Sequence, residues 1–568
     1  MLLVLAVVAV TVGLGRPAPI AAGVAAWLPA DGHRVRFASP ASPGVAFAEW
    51  STPDVFTLIQ AAILGFHDWL GSTSLDASST AYARLHTVLA GPDGTRTEVS
   101  DRLWTLGTDG ARAAIEEDTT SARSNVTVLV PGRLDLPSDL AIGDHWTSEG
   151  TARTWDWDKT GGAFVETPYR ADFRAFDAGQ GCVEIVMDQR MRDTSRTERR
   201  TWCPGAGIAE FADAVGTWSP TDAGPPVHVD ADQPFAWGEA DSLKFTPRAV
   251  NQLGVPGNIQ LNPVSVPGLL DGGAVVAGRL QPDVLGLVTR DAKAQVVWSA
   301  RPGGMLAAAA TLGGVTFVTT TAKQVVAYNN EGRWLWEARL GDLSVVAPVR
   351  IGDWVVVAAL DGSVTAFDMA TGAPEWRADL GAEIRSPLVV ADDRLLVANQ
   401  DGALVCLDAE GAQVWAVDAG VPSSMAVSPG ADPVVVYGAD GSLTLAAYSL
   451  ADGRAVWRHR VYQNPHDLIA LDSVVVVRDD DMTLGVDWTT GAVRWQWAAE
   501  RTVVGLGGGQ RALLLADADL VLIDADGRAV RTWPHNLGHV TRSTAFLAAA
   551  GKTVLAYGPS GMQIGALP

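Results

Sequence analysis

Few side chains in this sequence of 568 residues combine the type and the spacing that chemistry requires. His535 and His539 lie four residues apart, but the proline and glycine around them predict a loop and no metal-ligand cluster. The aspartates of the segment 479–481 offer oxygen ligands for a cation, although a solvated hairpin turn is the favoured interpretation. The glycine-rich segment 505–509 lacks the following helix and lysine of a phosphate-binding loop, so it predicts a hairpin. The sequence therefore predicts no catalytic residue, no cofactor-binding residue and no metal ligand.

Two cysteines have a spacing that predicts a disulfide. Cys182 and Cys203 flank two alternating runs joined by a polar turn near Arg192, so a hairpin centred there places the two cysteines opposite each other. Opposite residues of an antiparallel pair have β-carbons about 4.5–5.5 Å apart, which a disulfide spans after small adjustment. A structural disulfide implies an oxidising compartment. Cys406 lies in an apolar run and is interpreted as a buried residue.

A repeat in the sequence indicates which elements of secondary structure must position these residues. Tryptophan returns at intervals of 38 to 42 residues through the C-terminal half of the chain, and a period near 40 in β-rich sequence is typical of propeller blades. The repeated tryptophans are predicted to fill the gaps between blades rather than to stack on a ligand. They are Trp298, Trp336, Trp376, Trp415, Trp457, Trp495 and Trp533.

A recurring turn precedes most of these tryptophans and is clearest over residues 366–376. In this turn an aspartate side chain accepts hydrogen bonds from backbone N–H groups two or three residues on, and glycine supplies the positive φ that closes the hairpin. Its role is predicted to be structural. The aspartate and glycine pairs are Asp368 and Gly372, Asp408 and Gly411, and Asp487 and Gly491.

The pattern Ala-x-Asp-x-x-Thr-Gly-x-x-x-Trp at 366–376 resembles the tryptophan-docking repeat of pyrroloquinoline-quinone (PQQ) type propellers. This family includes quinoprotein alcohol dehydrogenases and the propeller lipoprotein of the outer-membrane β-barrel assembly machinery. The resemblance covers residues 266–568 and implies an eight-bladed PQQ-like β-propeller, with seven blades as the alternative. Three apolar runs after Trp533 supply three strands of the last blade. The fourth is expected from before the first repeat, either at Val227–Val229 or at 235–237.

The resemblance implies two different functions. The assembly lipoprotein implies a non-catalytic platform that binds an envelope protein, whereas the dehydrogenases imply a PQQ- and calcium-dependent enzyme with a disulfide between adjacent cysteines. This chain has no adjacent cysteines and short blades, so the platform is favoured and no cofactor is expected. A third interpretation, a sensor that binds cell-wall carbohydrate, would use Trp155 or Trp157.

The rest of the chain divides into three parts. Residues 1–28 are apolar and interrupted by Arg16 and two prolines, which favours a signal-anchor in the cytoplasmic membrane over a cleaved signal peptide and secretion. Residues 35–220 alternate with period two, with a possible helix at 54–69, which predicts a smaller α+β domain with an antiparallel sheet. Residues 221–265 are rich in proline and are expected to be a linker that leads onto the propeller.

The charge of the chain excludes some partners. Its 64 acidic and 42 basic residues give a formal net charge of −22. Nucleic acid and anionic membrane surfaces repel such a protein. The sequence thus predicts an extracytoplasmic, membrane-tethered, mainly β protein that serves as a platform for other proteins of the cell envelope.

Overall fold

A computed structural model gives two compact units, Met1–Pro225 and Pro226–Pro568. The residues that it describes are 22–30, 33–52, 81–90, 96–120, 124–156, 164–192, 194–212, 216–221, 229, 236–249, 268–270, 273–281, 284–288, 300, 302, 306–428, 432, 434–438, 444–460, 467–478, 482–497, 502–516, 518–540, 545–558 and 561–567.

The first unit is a closed barrel of antiparallel strands. Each strand pairs with the next along the chain, and the last strand pairs with the first through Phe37 opposite Pro220. The strands are β1 (Arg34–Ser39), β2 (Ser42–Ser51), β3 (Ala81–Ala90), β4 (Arg96–Leu106), β5 (Gly110–Thr120), β6 (Ser124–Pro137), β7 (His145–Asp156), β8 (Val165–Gly179), β9 (Cys182–Met191), β10 (Thr194–Cys203), β11 (Gly207–Ala212) and β12 (Thr217–Pro220).

Alternation of apolar residues along these strands fills the interior of the barrel. In β8, for example, Tyr169, Ala171, Phe173 and Ala175 are buried while the residues between them are more exposed. The antiparallel sheet predicted for residues 35–220 is present, and it closes on itself as a barrel, which the sequence did not predict. The helix expected at 54–69 lies outside the described residues.

The end of the N-terminal apolar segment packs against the barrel. A single helical turn, α1 (Ala22–Ala25), places Val24 in the barrel core, and Trp27 packs against the same core. Residues 22–28, the end of the predicted membrane segment 1–28, therefore pack with the barrel, and the rest of that segment lies outside the described residues. Within the described residues, no helix has both the length and the apolar character needed to cross a membrane.

The predicted hairpin and disulfide are confirmed. Strands β9 and β10 pair in the expected register, with Val183 opposite Trp202, and the sulfur atoms of Cys182 and Cys203 are bonded. The turn residue Arg192 has a φ of 47°. Cys406 is a free thiol and is fully buried, as predicted.

The second unit is built from antiparallel sheets, of which the described residues form eight. The closing sheet combines β13 (Lys244–Ala249) with β41 (Phe546–Ala550), β42 (Thr553–Gly558) and β43 (Gly561–Ala566). The next sheet has three strands, β14 (Gly268–Leu270), β15 (Gly273–Gln281) and β16 (Val284–Val288). Three four-stranded sheets follow: β17 (Leu306–Leu312), β18 (Val315–Thr320), β19 (Gln324–Tyr328) and β20 (Trp334–Arg339); β21 (Val349–Ile351), β22 (Trp354–Ala358), β23 (Ser363–Asp368) and β24 (Pro374–Asp379); and β25 (Val389–Ala391), β26 (Arg394–Ala398), β27 (Ala403–Leu407) and β28 (Gln413–Asp418). The last three four-stranded sheets are β29 (Pro422–Val427), β30 (Val434–Gly438), β31 (Thr444–Tyr448) and β32 (Ala455–Arg460); β33 (Asp467–Ala470), β34 (Val474–Arg478), β35 (Thr483–Asp487) and β36 (Val493–Trp497); and β37 (Thr502–Gly508), β38 (Arg511–Ala516), β39 (Asp519–Asp524) and β40 (Ala529–Pro534).

These sheets are arranged in a ring. The first strand of each sheet in the chain lies against the first strands of its two neighbours, and β41 of the closing sheet contacts β14. The second and third strands lie between neighbouring sheets and are buried on both faces, as the run Val355–Ala358 illustrates. A short helix of the 3-10 type at Trp237–Ser242 packs its Trp237 against the core between the last two sheets.

The two ends of the ring meet in the closing sheet. Strand β13 pairs with β43, and Thr246 lies opposite Ile564. A fourth strand from before the first repeat was expected, but both candidate segments were wrong, because the strand is Lys244–Ala249.

The outer strands of the sheets share an irregularity that the sequence analysis did not anticipate. In β28, Trp415 pairs with Cys406 but Gln413 pairs with Leu407, so Val414 is an extra residue that forms a bulge. The same shift occurs beside the tryptophans of β20, β24, β32 and β36, and two residue pairs further along in β40. Bulges of this kind disturb an exposed strand edge and so discourage other chains from pairing with it.

Candidate functional site

In five of the outer strands, the tryptophan lies against the turn of the next sheet. The indole N–H of Trp336 donates a hydrogen bond of 2.9 Å to the carbonyl oxygen of Met369. Four further copies make the same contact: Trp376 with Ala409 (2.8 Å), Trp415 with Leu450 (2.8 Å), Trp457 with Trp488 (2.7 Å) and Trp495 with Ala525 (2.7 Å).

The turn glycines lie under the same indole rings. Gly372 has a φ of 70°, and a β-carbon added to it would overlap the ring of Trp336. The residue must therefore be glycine for two reasons, its left-handed backbone and the closeness of the ring. The other glycines in this position are Gly411 under Trp376, Gly453 under Trp415, Gly491 under Trp457 and Gly527 under Trp495.

The turn aspartates hold the backbone of the same turns. The Asp368 carboxylate accepts hydrogen bonds from the backbone N–H groups of Ala370 (3.1 Å) and Thr371 (2.7 Å) and from the Thr371 hydroxyl (2.7 Å). Asp487 repeats this set with Thr489 and Thr490, and Asp408 accepts from the N–H of Ala412. Each of these three carboxylates therefore holds the backbone of its own turn.

Two of the repeated tryptophans differ from the rest. Trp298 lies outside the described residues. The ring of Trp533 packs edge-on against Phe245 of β13, with centroids 5.1 Å apart, and Arg531 lies over its face. The last tryptophan thus contacts the strand that closes the ring.

The candidate metal ligands of the sequence do not converge. Among the described residues, no group of three or more His, Cys, Asp or Glu side chains is placed to hold a metal ion. His535 Nε2 lies 2.6 Å from the carbonyl oxygen of Ala516, and its Nδ1 accepts the N–H of Leu537. His539 is exposed, and the aspartates 479–481 lie outside the described residues.

The best-formed candidate for a binding site lies inside the barrel. A cavity of about 250 Å³ is bounded by β1 to β4 on one side and by β10 and β11 on the other. One part of its wall is apolar and the other part carries arginines. The lining residues that matter for chemistry are Phe37, Trp50, Leu85, Leu89 and Phe211 on the apolar part, and Arg102, Arg196, Glu198 and Arg200 on the charged part.

Behind the cavity wall, Arg133 is the centre of a buried charged cluster. Its side chain is fully buried, and it donates to Asp135 (2.6 Å), to Glu116 (2.8 Å) and to the amide oxygen of Gln189 (2.5 Å). Asp135 also accepts a hydrogen bond of 3.1 Å from the indole of Trp104. Burial of an arginine requires this degree of pairing, because an unpaired charge in the interior is very costly.

The charged cluster reaches the cavity through Glu198. Its carboxylate receives two hydrogen bonds from Arg102, at 3.2 and 3.3 Å, and a further one from Arg200. Arg196 Nη1 lies 3.4 Å from Glu198, and Arg196 Nη2 donates to Glu116 at 2.7 Å. Four arginines and three carboxylates therefore interlock across the interior, with one positive charge in excess among the described members.

Two carboxyl groups of the charged cluster titrate abnormally. Burial raises the pKa of the Glu116 carboxyl, but Arg133 and Arg196 lower it by more, so that this pKa lies well below its usual range. The pKa of Glu198 is lowered in the same way, because Arg102 and Arg196 outweigh the effect of burial. Both side chains are thus held in the charged form.

The charged cluster predicts how the barrel responds to acid. A carboxyl whose pKa is lowered by folding stabilises the fold above its unfolded pKa, about 4.3 for glutamate, and this stability is lost as the pH falls further. We expect the melting temperature of the barrel to be level from pH 7 to 5 and to fall below about pH 4.3, measured by calorimetry. Glu116→Gln should lower the melting temperature at pH 7 and flatten this fall. If the melting temperature depended on pH in the same way for this variant and for the surface control Glu149→Gln, the prediction would be contradicted.

These charged residues were not predicted from the sequence, although one signal was present. In β10, Arg196, Glu198 and Arg200 alternate in phase with the apolar Trp202, so the four side chains share one face of the strand. Charges on a core face indicate a polar interior. By contrast, Trp146, which is conspicuous in the sequence, stacks on Phe173 and donates to the carbonyl of Leu134 as a packing residue.

The family-model match to known proteins lies in the second unit. The family model described as "Outer membrane protein assembly factor BamB" matches residues 285–373 and 343–470. BamB of Bordetella pertussis is 26% identical over 176 residues, which cover 29% of this chain and 44% of that protein. BamB of Burkholderia pseudomallei is 27% identical over 210 residues, covering 33% of this chain and 53% of its own length. The chain thus spans about half of the curated relatives it matches.

The second unit is a PQQ-like β-propeller that resembles BamB. Among solved structures, BamB from Moraxella catarrhalis is 17% identical and aligns over 57% of this chain and 98% of its own, with a TM-score of 0.44. The PQQ-like repeat predicted from the tryptophan and turn pattern is confirmed.

Proposed function

We propose that the propeller is a non-catalytic platform that binds or assembles other proteins of the cell envelope. The observation that carries this proposal is the similarity of residues 285–470 to BamB, a protein named as an outer-membrane assembly factor. We propose further that each of the eight sheets is one blade of an eight-bladed propeller. The barrel-shaped first unit has no counterpart in the matched segments, so the partners of BamB are not carried over to this chain.

The contacts between sheets suit a platform. Five indole rings join successive sheets by the same hydrogen bond and the same close contact with a glycine, which makes the ring resistant to deformation. A rigid ring presents its turns and outer strands in fixed positions. Surface valines at equivalent bulge positions, Val414 and Val456, are 41% and 48% exposed and offer apolar contact on two neighbouring sheets.

The chemistry of the chain fits an extracytoplasmic location. The disulfide between Cys182 and Cys203 is typical of an oxidising compartment. The net charge of −22 disfavours nucleic acid as a partner. A protein partner with a basic surface is favoured by the same charge.

The platform is tested by site-specific photocrosslinking in the native envelope. A photoreactive amino acid replaces Val414 or Val456 in the full chain, and exposed Ile142 of the barrel unit serves as the matched control. We expect the same envelope protein to be captured from both propeller positions, and the purified pair to bind. Binding should weaken at least tenfold when Val414 and Val456 are both replaced with aspartate. Absence of a common partner, or unchanged binding of the double variant, would count against this surface.

A titration with PQQ and calcium separates the platform from the dehydrogenase that the repeat family also includes. A platform gives no rise in melting temperature at saturating cofactor. A cofactor site gives an upward shift and a change in visible absorbance, and that result would overturn the non-catalytic assignment.

A further inference from the structure

The cavity in the barrel has a two-sided wall that suits a particular kind of ligand. We propose that it binds a small amphipathic organic anion, namely a carboxylate attached to an apolar chain. This proposal concerns the first unit only and does not depend on the function of the propeller.

The apolar part of the wall provides a place for the chain of the ligand. Phe37, Trp50 and Leu85 line the cavity and are themselves at most 7% exposed, so they belong to the packed interior of the barrel. Phe211 stacks on Trp218 and meets Phe37 edge-on, which fixes the position of its ring. An apolar chain placed against these side chains is removed from water, which favours binding.

The charged part of the wall provides a place for the carboxylate. Arg102, Arg196 and Arg200 line the cavity, and the only acidic side chain among the lining residues is Glu198. Behind the wall, Arg133 pairs with Glu116 and Asp135, and these two carboxylates also bind the lining residues Arg196 and Arg200. With Arg102 and Glu198 included, four arginines face three carboxylates, and a ligand anion would neutralise the remaining positive charge through charge-assisted hydrogen bonds.

A buried hydrogen-bond donor near this wall also favours a ligand that carries an acceptor. The Nε2 amide group of Gln189 is buried and has no hydrogen-bond partner among the described residues. Its amide oxygen accepts from Arg196 Nε at 3.1 Å, so the donor lies beside the cationic part of the wall. An unpaired buried donor costs free energy, which an added acceptor or a bridging water can recover.

The cavity lies toward one end of the barrel. Its lining includes Arg196 near the start of β10, Leu89 near the end of β3 and Ala212 at the end of β11. These positions share one end of the antiparallel barrel, opposite the end where Cys182 and Cys203 lie. Arg196 is one-third exposed, so the cationic wall is reachable from solvent. A volume of about 250 Å³ corresponds to roughly eight water molecules at about 30 Å³ each, which suits a medium-length chain.

The first arm of the test varies the charge of the ligand. The full-length protein is titrated by calorimetry with sodium decanoate, 1-decanol and decyltrimethylammonium, which share the chain and differ in the head group. We expect one decanoate per protein, and affinity at least tenfold weaker for the alcohol and for the cation. Equal binding of all three would overturn the assignment of an anion, and no binding of decanoate at 1 mM would overturn the site.

The second arm of the test determines whether decanoate binds in this cavity. Ala212→Trp fills the cavity from its accessible end and should abolish decanoate binding, whereas Arg196→Gln should weaken it about tenfold or more. Arg174→Gln is the matched control, because Arg174 pairs with Asp188 on the outer wall and is 56% exposed. Each variant is checked by its melting curve. Wild-type affinity in folded Ala212→Trp would show that decanoate binds elsewhere and would overturn the proposal.

Discussion

Replacing Arg133 with methionine should destabilise the barrel unit by about 3–5 kcal/mol, one of the largest effects expected for a single substitution in this chain. Arg133 is fully buried, and its four donated hydrogen bonds end on Asp135, Glu116 and Gln189. Methionine fills a similar volume but leaves two interior carboxylates without their central cation. The loss is measured as a shift in the urea midpoint of the barrel transition in the full-length protein.

Two further variants separate the contributions that the charge of Arg133, the shape of its side chain and its buried position make to stability. Arg133→Lys keeps the charge but lacks the planar fork, so we expect a loss smaller than that of the methionine variant and larger than zero. Arg174→Met removes an exposed arginine that pairs with Asp188 at 2.7 Å, and surface pairs of this kind contribute about 0–1 kcal/mol. If Arg133→Met were no more harmful than Arg174→Met, the charged cluster would not stabilise the barrel.

The propeller repeat was predictable because its signals are local. In the turn at 366–376, Asp368 bonds to N–H groups two and three residues away, and Gly372 supplies the left-handed backbone. A sequence pattern of eleven residues therefore contains most of the interactions that define the turn. The contact of Trp336 with the next turn repeats with the same period, which makes it visible as spacing alone.

The closing strand was predicted to exist but was placed wrongly, and the reason is physical. Lys244–Ala249 contains Pro247, which cannot donate to a strand partner and argues against a strand in the middle of a sheet. In the closing sheet this strand is the outermost, so it pairs on one side only, with Pro247 opposite Gln563. A proline is tolerated at such an edge.

The barrel and its cavity could not be predicted from the sequence, because apolar and polar residues alternate in the same way along the strands of an open sheet and of a closed barrel. Closure depends on the pairing of β1 with β12, whose residues Ala38 and Ser219 are far apart in the chain. The ion pair of Arg102 with Glu198 likewise joins strands on different sides of the interior. A charged residue in an alternating run is usually assigned to the solvent face, whereas Arg102 and Glu198 lie on the face that points into the closed barrel.

Substitutions at the contact of Trp336 with Gly372 should be strongly coupled. Trp336→Ala removes a ring that is 1% exposed, together with its hydrogen bond to Met369, and should cost about 3–5 kcal/mol in the propeller transition. Gly372→Ala should also destabilise, because it strains a backbone with a φ of 70° and forces a β-carbon into the ring. Gly381→Ala is the matched control: its φ is 78° and a β-carbon there meets nothing within 4 Å, so it should carry the backbone cost alone.

The double variant decides whether the contact itself is responsible. Without the indole, alanine at position 372 no longer collides with a neighbour, so the loss in Trp336→Ala with Gly372→Ala should be smaller than the sum of the single losses. Residues in contact show coupling of about 0.5–3 kcal/mol, whereas Trp336→Ala with Gly381→Ala should be additive within about 0.5 kcal/mol. Urea denaturation supplies the energies, and hydrogen exchange of the amides at 369–372 reports on the turn directly. Additive losses for both pairs would mean that the glycine is required only for its backbone, and that ring and turn do not hold successive sheets together.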